Sequence, residues 1–192
     1  MKPLIAIVLF PGVELLDFCG PAEVFSVACE TVNFPYSICT VAERDSEIVS
    51  NGVRIRPDFE LEKCPPISAL LIPGGRGTRN EINNERLVSW VKSHSAGVDL
   101  LMSVCTGALI LAKAGLLDGV EATTHHNSLQ LLAEISPNTR IHHNRRFVVC
   151  GKIVTSAGIV AGIDMSLYIV ERLCGKLAAD EVSAHLEHVR RE

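Results

Sequence analysis

The sequence predicts an α/β fold, in which a mainly parallel β-sheet carries helices on both faces. Residues 4–10 and 69–72 are short, continuously apolar runs and residues 98–104 form a third, mostly apolar run, all of which are typical of strands buried on both faces. Each run is followed along the chain by a segment in which apolar residues recur at helical spacing. Strands that alternate with helices favour a parallel sheet, because a parallel connection has to cross back over the sheet before the next strand begins.

A proline decides where the first helix is expected to begin. Residues 17–30 show helical spacing of apolar side chains, and Pro21 lies early in this segment. Because proline has no backbone N–H, it is tolerated in the first turn of a helix and disfavoured further in. We therefore expect the helix to begin near Cys19 or Gly20.

The other elements follow from alternation, helical periodicity and turn residues. No linker, repeat or low-complexity segment divides the chain, so residues 1–192 are expected to form a single domain. The remaining predicted elements are a strand over 36–42, a hairpin over 48–55 turning at Asn51-Gly52 as an insertion or sheet edge, helices over 84–95 and 106–113, a short strand over 121–124, a helix over 127–134, a hairpin over 146–155 turning at Gly151-Lys152, and helices over 161–173 and 178–190.

The composition favours a globular domain over a membrane protein or a nucleic-acid-binding protein. The 192 residues are 47% hydrophobic with a formal charge of −4, which suits one domain with a sizeable core. The sequence has no 18-residue apolar run, no basic-then-apolar leader before Pro3 and no block of like charges. We therefore expect a cytoplasmic domain that engages neither a membrane nor nucleic acid.

The seven cysteines are expected to be reduced thiols. Their number is odd and no Cys-x-x-Cys pair occurs, which argues against a disulfide framework and against a zinc site. No His-Glu-x-x-His motif is present, and the Gly74–Thr78 segment lacks the Gly-Lys-Ser/Thr of a phosphate-binding loop. We expect neither a metal nor another cofactor. Arg76 and Arg79 in or beside this loop are interpreted either as anion contacts or as surface charge.

Cys105 differs from the other six cysteines in its position. It lies between the apolar run 98–104 and the helical segment 106–113, with the small residues Ser103 and Gly107 two positions to either side. This strand–nucleophile–helix layout is that of a nucleophile elbow, which projects a reactive side chain into the cleft beyond the strand ends. The alternative is that Cys105 is one more buried cysteine at the end of a strand.

The elbow geometry leads to two further predictions, one about the pKa of Cys105 and one about the donors to an oxyanion. A thiol at a helix N-terminus is favoured as the thiolate, so the pKa of Cys105 is expected below that of a free cysteine. The backbone amide of Thr106 is expected to donate to a developing oxyanion, and Gly74 or Gly75 is expected to supply a second donor.

Asp17, His125 and the His185-x-Glu187 pair each permit two interpretations. Asp17 is by pattern alone more typical of a helix-capping acid than of a general acid/base with a raised pKa. His125 follows a short predicted strand and fits either a structural or a catalytic role. The pair formed by His185 and Glu187 lies in a helical segment where residues two apart face different directions, so we interpret it as a solvated helix face.

Four groups of short motifs occur in order along almost the whole chain. They are Phe10-Pro11-Gly12 with Leu16-Asp17 and Gly20-Pro21, then Leu71-Ile72-Pro73-Gly74-Gly75, then Val104-Cys105-Thr106-Gly107, and finally Ala122-Thr123-Thr124-His125. Together they resemble the ThiJ/PfpI superfamily, and in particular its branch of isonitrile hydratases and sensor domains of AraC-type regulators. The resemblance implies a flavodoxin-like three-layer sandwich, a small-molecule substrate and a homodimer. It also implies that Asp17 is the acid partner of Cys105 and that His125 lies near the thiol.

Three functions remain open at this stage. The first is a hydratase or lyase, with isonitrile hydration as the specific reaction, in which the Cys105 thiolate attacks carbon and Asp17 moves the proton. The second is a ligand- or oxidation-sensing domain without catalysis, and without a DNA-binding domain because only seventeen residues follow Gly175. The third is a cysteine hydrolase, either a peptidase or a deglycase, which is weaker because no Cys–His–acid triad is evident from spacing.

Overall fold

A seven-stranded β-sheet forms the centre of the molecule in the computed structural model, which describes residues 2–191. The strands are β1 (Leu4–Leu9), β2 (Ser37–Ala42), β3 (Ile48–Ser50), β4 (Val53–Ile55), β5 (Phe59–Glu60), β6 (Ala69–Ile72), β7 (Leu100–Ser103), β8 (Glu121–Ala122), β9 (Arg140–Ile141), β10 (Phe147–Cys150) and β11 (Ile153–Ser156). The helices are α1 (Leu15–Thr31), α2 (Thr78–Glu81), α3 (Glu85–Ser95), α4 (Gly107–Lys113), α5 (Leu129–Ile135), α6 (Ala161–Cys174) and α7 (Lys176–His185). Two short 3-10 helices cover Leu61–Lys63 and His126–Ser128.

The strand order is β10-β11-β7-β6-β1-β2-β5, and every pairing is parallel except that of β10 with β11. Helices α1, α6 and α7 pack together, whereas α2, α3 and α5 pack with α4. The central strands β1, β6 and β7 are buried along almost their whole length, because helices cover both sides. The predicted α/β class with a mainly parallel sheet is confirmed.

Both predicted hairpins are present. Strands β3 and β4 pair antiparallel around Asn51 and Gly52, whose φ angles are both positive, as a two-residue turn of this type requires. They form a separate two-stranded sheet, so this hairpin is an insertion. Strands β10 and β11 turn at Gly151 and form one edge of the main sheet.

The predicted start of the first helix is wrong. Helix α1 begins at Leu15, so Pro21 lies within the helix and not in its first turn. A proline at this position removes only the N–H that would bond to the carbonyl of Asp17. The earlier start is fixed from outside the helix, since Glu14 N–H donates to Gly74 O (2.9 Å) and Asp17 N–H then donates to Glu14 O (3.1 Å).

Two other element boundaries differ from the prediction. Strand β8 ends at Ala122 and pairs with β9 outside the main sheet, because Thr123 and Thr124 leave the strand to make side-chain hydrogen bonds. Helix α7 begins at Lys176, immediately after Gly175, and ends at His185, five residues before the predicted end.

Gly107 allows α4 to approach β6 more closely than any side chain permits. A Cβ at this position would lie 2.0 Å from Ile72 O and 2.9 Å from Pro73 O, both of which are backbone atoms. Backbone cannot yield to such a clash as the end of a flexible side chain does. The elbow therefore depends on glycine here for packing, and not for an unusual φ angle.

Replacing Gly107 with alanine is expected to lower the free energy of unfolding by about 3 kcal/mol or more, because the first turn of α4 would be pushed away from β6. Denaturant unfolding followed by circular dichroism measures this loss. Gly97→Ala is the matched control, since a Cβ there meets only His94 O at 3.9 Å, and a change below about 1 kcal/mol is expected. Equal stability of the two variants would contradict the proposed close packing.

Candidate active site

Cys105 lies in the tight turn between β7 and α4, as predicted for a nucleophile elbow. Its φ is +55°, a conformation that residues other than glycine rarely adopt. The strain is held by hydrogen bonds on both sides of the residue: Cys105 N–H lies within 3.1–3.2 Å of Ser156 O and Ala157 O, and Thr124 Oγ1 donates to Cys105 O at 2.7 Å. The end of β11 and the segment after β8 therefore fix the elbow.

Asp17 faces Cys105 and does not cap its own helix. The N-cap residue of α1 is Glu14, and the Asp17 side chain makes no capping hydrogen bond. Its carboxyl group is fully buried, interacts with the Cys105 thiol, and accepts a hydrogen bond from Gly74 N–H at Oδ2 (3.1 Å). Oδ1 has no aligned hydrogen-bond donor within residues 2–191. The capping role favoured by pattern alone is wrong, and the position that the resemblance implied is observed.

Burial changes the acidity of Asp17. Removal from water is the main reason that the pKa of this carboxyl group is raised to about 7, and the neighbouring charge of Glu14 contributes to the rise. The interaction with Cys105 and the hydrogen bond from Gly74 N–H oppose the shift, but burial is the larger effect. Asp17 is therefore able to hold or release a proton at neutral pH, as a general acid/base requires.

The pKa of Cys105 is the reverse of the sequence-based expectation. Burial is the main reason that its pKa is raised to about 12, and like-charge repulsion from the Asp17 carboxylate contributes to the rise. The backbone N–H groups of Thr106 and Ile159 point at the sulfur and lower the pKa, but they do not offset burial. The N-terminus of α4 favours the thiolate, but burial and the adjacent Asp17 carboxylate outweigh it.

Asp17 and Cys105 act as one titrating pair. The pair loses its first proton near pH 7 and keeps the second until about pH 12. Between these values one proton is shared, and a thiolate beside a protonated carboxyl group is one of its two arrangements. The backbone N–H groups of Thr106 and Ile159 favour that arrangement, whereas Gly74 N–H favours the carboxylate.

The two glycines after β6 do not match their predicted role as oxyanion donors. Gly74 N–H donates to Asp17, and Gly75 N–H donates to Thr106 Oγ1 at 2.9 Å. A Cβ at position 74 would lie 2.5 Å from Thr106 N and 2.8 Å from Asp17 Oδ2. The role of Gly74 is thus to let the carboxyl group and the elbow meet.

Ile159 supplies the second amide near the sulfur, and sequence reasoning missed it. Its φ is +45°, which is unusual for a β-branched residue and turns its N–H toward Cys105. The available signal was Ala157-Gly158 after the strand over 153–156, since small residues allow the chain to approach the elbow. Thr106 N–H and Ile159 N–H are the pair of donors at the thiol.

A cavity of about 390 Å³ opens above the elbow. His125 lies in its wall, with Asn127 N–H donating to His125 Nδ1 at 3.2 Å. Burial is the main reason that the pKa of His125 lies below its usual value, so the ring is neutral at pH 7. No hydrogen bond joins His125 to Cys105 within the described chain. The lining residues are Glu14, Gly75, Arg76, Arg79, Cys105, Thr106, His125, Asn127, Ser128 and Ile159.

The other features considered in the sequence, namely the His185-x-Glu187 pair, a metal site and a membrane span, contribute nothing to this cavity. His185 and Glu187 are exposed, as expected of a solvated surface. Over residues 2–191, no cluster of three or more His, Cys, Asp or Glu side chains has the arrangement of a metal site. Across the same residues, no helix combines the length and the apolar character needed to cross a bilayer. The homodimer implied by the resemblance stays a prediction.

Comparison with models of known protein families shows which family this chain belongs to. The model of the DJ-1/PfpI family matches residues 4–172, which span the elbow, Asp17 and the whole central sheet. The chain belongs to the DJ-1/PfpI family. Its seven-stranded sheet with helices on both faces is the flavodoxin-like sandwich of that family, as the sequence motifs implied.

Similar proteins in the family have different activities. An isonitrile hydratase of Pseudomonas putida is 33% identical over 189 residues, which cover 96% of this chain and 78% of that protein. The HTH-type transcriptional regulator GbdR of Pseudomonas aeruginosa is 30% identical over 145 residues, which cover 74% of this chain and 39% of the regulator. A crystal structure of a ThiJ/PfpI family protein from Pseudomonas syringae superposes with a TM-score of 0.89 at 28% identity, covering 100% of this chain and 77% of that one.

Asp17→Asn is expected to stabilise the protein at high pH. Because the pKa of Asp17 is raised from 3.8 to about 7, folding loses stability as pH rises between these two values, and the loss is complete above 7. The neutral amide avoids that loss, so the variant should gain up to about 4 kcal/mol at pH 8, shrinking toward pH 4. Urea unfolding at several pH values measures the difference.

Glu30→Gln is the matched control for this experiment, because Glu30 is an exposed carboxylate on the same helix. It should change stability little at either pH. An Asp17→Asn effect that is the same at pH 4 and pH 8 would show that Asp17 keeps an ordinary pKa in the folded protein.

Proposed function

We propose that the protein is a cysteine-dependent hydratase that converts an isonitrile into an N-substituted formamide. The observation that carries the proposal is the buried Asp17 carboxyl group against the Cys105 thiol at the floor of an open cavity. The similarity to an isonitrile hydratase over nearly the whole chain supports this choice among reactions that use a nucleophilic cysteine.

The first half of the proposed reaction forms a thioimidate. The Cys105 thiolate attacks the terminal carbon of R–N≡C, and Asp17 delivers its proton to the same carbon, which gives Cys105–S–CH=N–R. One proton shared by the pair is sufficient for this step. Asp17 is left as a carboxylate, which Gly74 N–H stabilises.

Water completes the reaction. The Asp17 carboxylate accepts a proton from water as the oxygen adds to the thioimidate carbon, and Asp17 passes that proton to the nitrogen. The tetrahedral adduct Cys105–S–CH(OH)–NH–R then collapses, expels the thiolate and releases R–NH–CHO. The hydroxyl proton returns to the pair, so the sum is one water added and no residue consumed. Thr106 N–H and Ile159 N–H face the sulfur and stabilise the departing thiolate.

Purified protein incubated with an alkyl isonitrile is expected to produce the matching formamide, measured by mass spectrometry. Cys105→Ala should abolish product, because no other group in the cavity forms the thioimidate. Cys19→Ala is the matched control and should retain activity, since Cys19 is a half-buried thiol on α1 outside the cavity. No product from the wild-type protein with any of a set of alkyl and aryl isonitriles would overturn the proposed reaction.

The rate of formamide production is expected to rise with pH through about 7 and then level off. Below that value both members of the pair are protonated and no thiolate exists, whereas above it one proton is shared. Asp17→Asn should lower the rate by about 10²- to 10⁴-fold and remove the inflection near 7. Glu23→Gln, an exposed carboxylate change on α1, should leave both unchanged. An inflection that persists in Asp17→Asn would assign it to another group.

A second candidate function is ligand sensing without turnover. The similarity to the regulator GbdR favours it, and so does the raised pKa of Cys105, because a protonated thiol is a weak nucleophile. In that case an isonitrile would bind the cavity, seen as a rise in melting temperature, while no formamide forms.

A further inference from the structure

Two cysteines far from Cys105 in the sequence lie side by side. Cys39 is buried in the middle of β2, and Cys64 follows the 3-10 helix Leu61–Lys63. Their thiols are neighbours that perturb one another, and the Cys64 thiol also donates to Pro65 O at 3.4 Å. Neither residue lines the cavity above the elbow.

The sheet topology explains why these two residues meet. Strand β5 lies beyond β2, whereas the next strand, β6, lies on the other side of β1. The connection from β5 to β6 therefore has to pass over β2 and β1. In the sheet Cys39 is opposite Ala6, and Ala69 at the start of β6 is opposite Ile5, so the crossing segment passes near Cys39. The contact is fixed by the fold and not by mobile side chains.

The two thiols differ in exposure and acidity. Cys64 is partly exposed, and the neighbouring Cys39 thiol lowers its pKa. Cys39 is 5% exposed, and the Cys64 neighbour together with burial raises its pKa. An accessible sulfur with a lowered pKa beside a shielded thiol is the arrangement of an attacking and a resolving cysteine.

We propose that Cys39 and Cys64 form a reversible disulfide when the protein meets a peroxide. The Cys64 thiolate attacks one oxygen of H₂O₂ and breaks the O–O bond, which gives Cys64–SOH and hydroxide. The Cys39 sulfur then attacks the sulfenic sulfur and displaces the hydroxyl group, which leaves as water with the thiol proton. The peroxide gains two electrons and the two thiols lose them.

The disulfide would close the chain between residues 39 and 64, which carries the β3–β4 hairpin. Ser50 Oγ in this hairpin donates to Val13 O at 2.7 Å, and Asn51 Nδ2 donates to Glu14 Oε1. Glu14 lines the cavity above Cys105. A covalent bond at the base of this segment thus restrains a part of the chain that supports the cavity wall.

The experiment uses the full chain with Cys105→Ala, so that the elbow thiol contributes no oxidation. The protein receives one equivalent of H₂O₂ and is then unfolded in guanidinium chloride with iodoacetamide, so that every free thiol, buried or exposed, is blocked. Reduction with heavy-isotope relabelling then marks the thiols that were protected by a disulfide. We expect the Cys39 and Cys64 peptides to carry the heavy label, with a migration on non-reducing gels that shows no intermolecular link.

Adding Cys64→Ala should leave Cys39 unprotected, and adding Cys39→Ala should leave Cys64 unprotected. Because Cys39 is buried and its variant is the one at risk of misfolding, the Cys64→Ala result is sufficient. Cys29→Ala is the matched control: Cys29 is also partly buried and donates to Tyr36 O, and its loss should leave the pair protected. Full alkylation of Cys39 and Cys64 after peroxide would overturn the proposal, and so would conversion of Cys64 to a sulfinic acid with Cys39 still free.

Discussion

The contact between a buried carboxyl group and a buried thiol determines how the rest of the site is built. Neither group is easily ionised away from water, so burial raises the pKa of both. Asp17 raises the pKa of Cys105 further, whereas the thiol partly offsets the rise at Asp17. The fold holds them together through backbone only: Gly74 N–H on the carboxyl group, and Thr106 and Ile159 N–H groups at the sulfur. These amides come from the ends of β6, β7 and β11, which a parallel sheet gathers at one edge. A surface site would not produce the same coupled pair, because water would screen it.

A second buried carboxylate shows what makes Asp17 different. Asp164 on α6 is 3% exposed, and Arg146 Nε donates to its Oδ2 at 2.7 Å. Its Oδ1 is close to His188 Nε2 (2.8 Å) and accepts from Arg191 N–H (3.0 Å). Both oxygens are satisfied, and the interaction ties the C-terminal segment to the sheet edge. Asp17 is buried without a cation, which costs stability. Buried ionisable groups with strongly shifted pKa values are concentrated at functional sites, and Asp17 has this character whereas Asp164 is paired with cations.

Sequence patterns predicted those features of the fold that are determined by residues adjacent in the chain. The apolar runs gave the strands of the sheet, Asn51-Gly52 gave a hairpin, and the layout around Cys105 gave the elbow. The errors arose where tertiary contacts override local preference. Helix α1 begins before Pro21 because Gly74 O anchors it, and the pKa of Cys105 rises because Asp17 and burial outweigh the helix end. The small residues Ala157-Gly158 indicate a close approach of the chain, but they do not show that the Ile159 amide is directed at Cys105, about fifty residues earlier.

Cysteine chemistry in this chain is therefore a property of topology more than of composition. All seven cysteines are free thiols, and an odd count without a Cys-x-x-Cys motif gave no reason to single out a pair. Cys105 differs because the ends of β6, β7 and β11 converge on it, whereas Cys39 and Cys64 meet because the β5–β6 connection has to cross β2. The first thiol is shielded and shares a proton with a carboxyl group; Cys64 is partly exposed and faces another thiol. Carbon electrophiles that fit the cavity should select Cys105, and small oxidants at the surface should select Cys64.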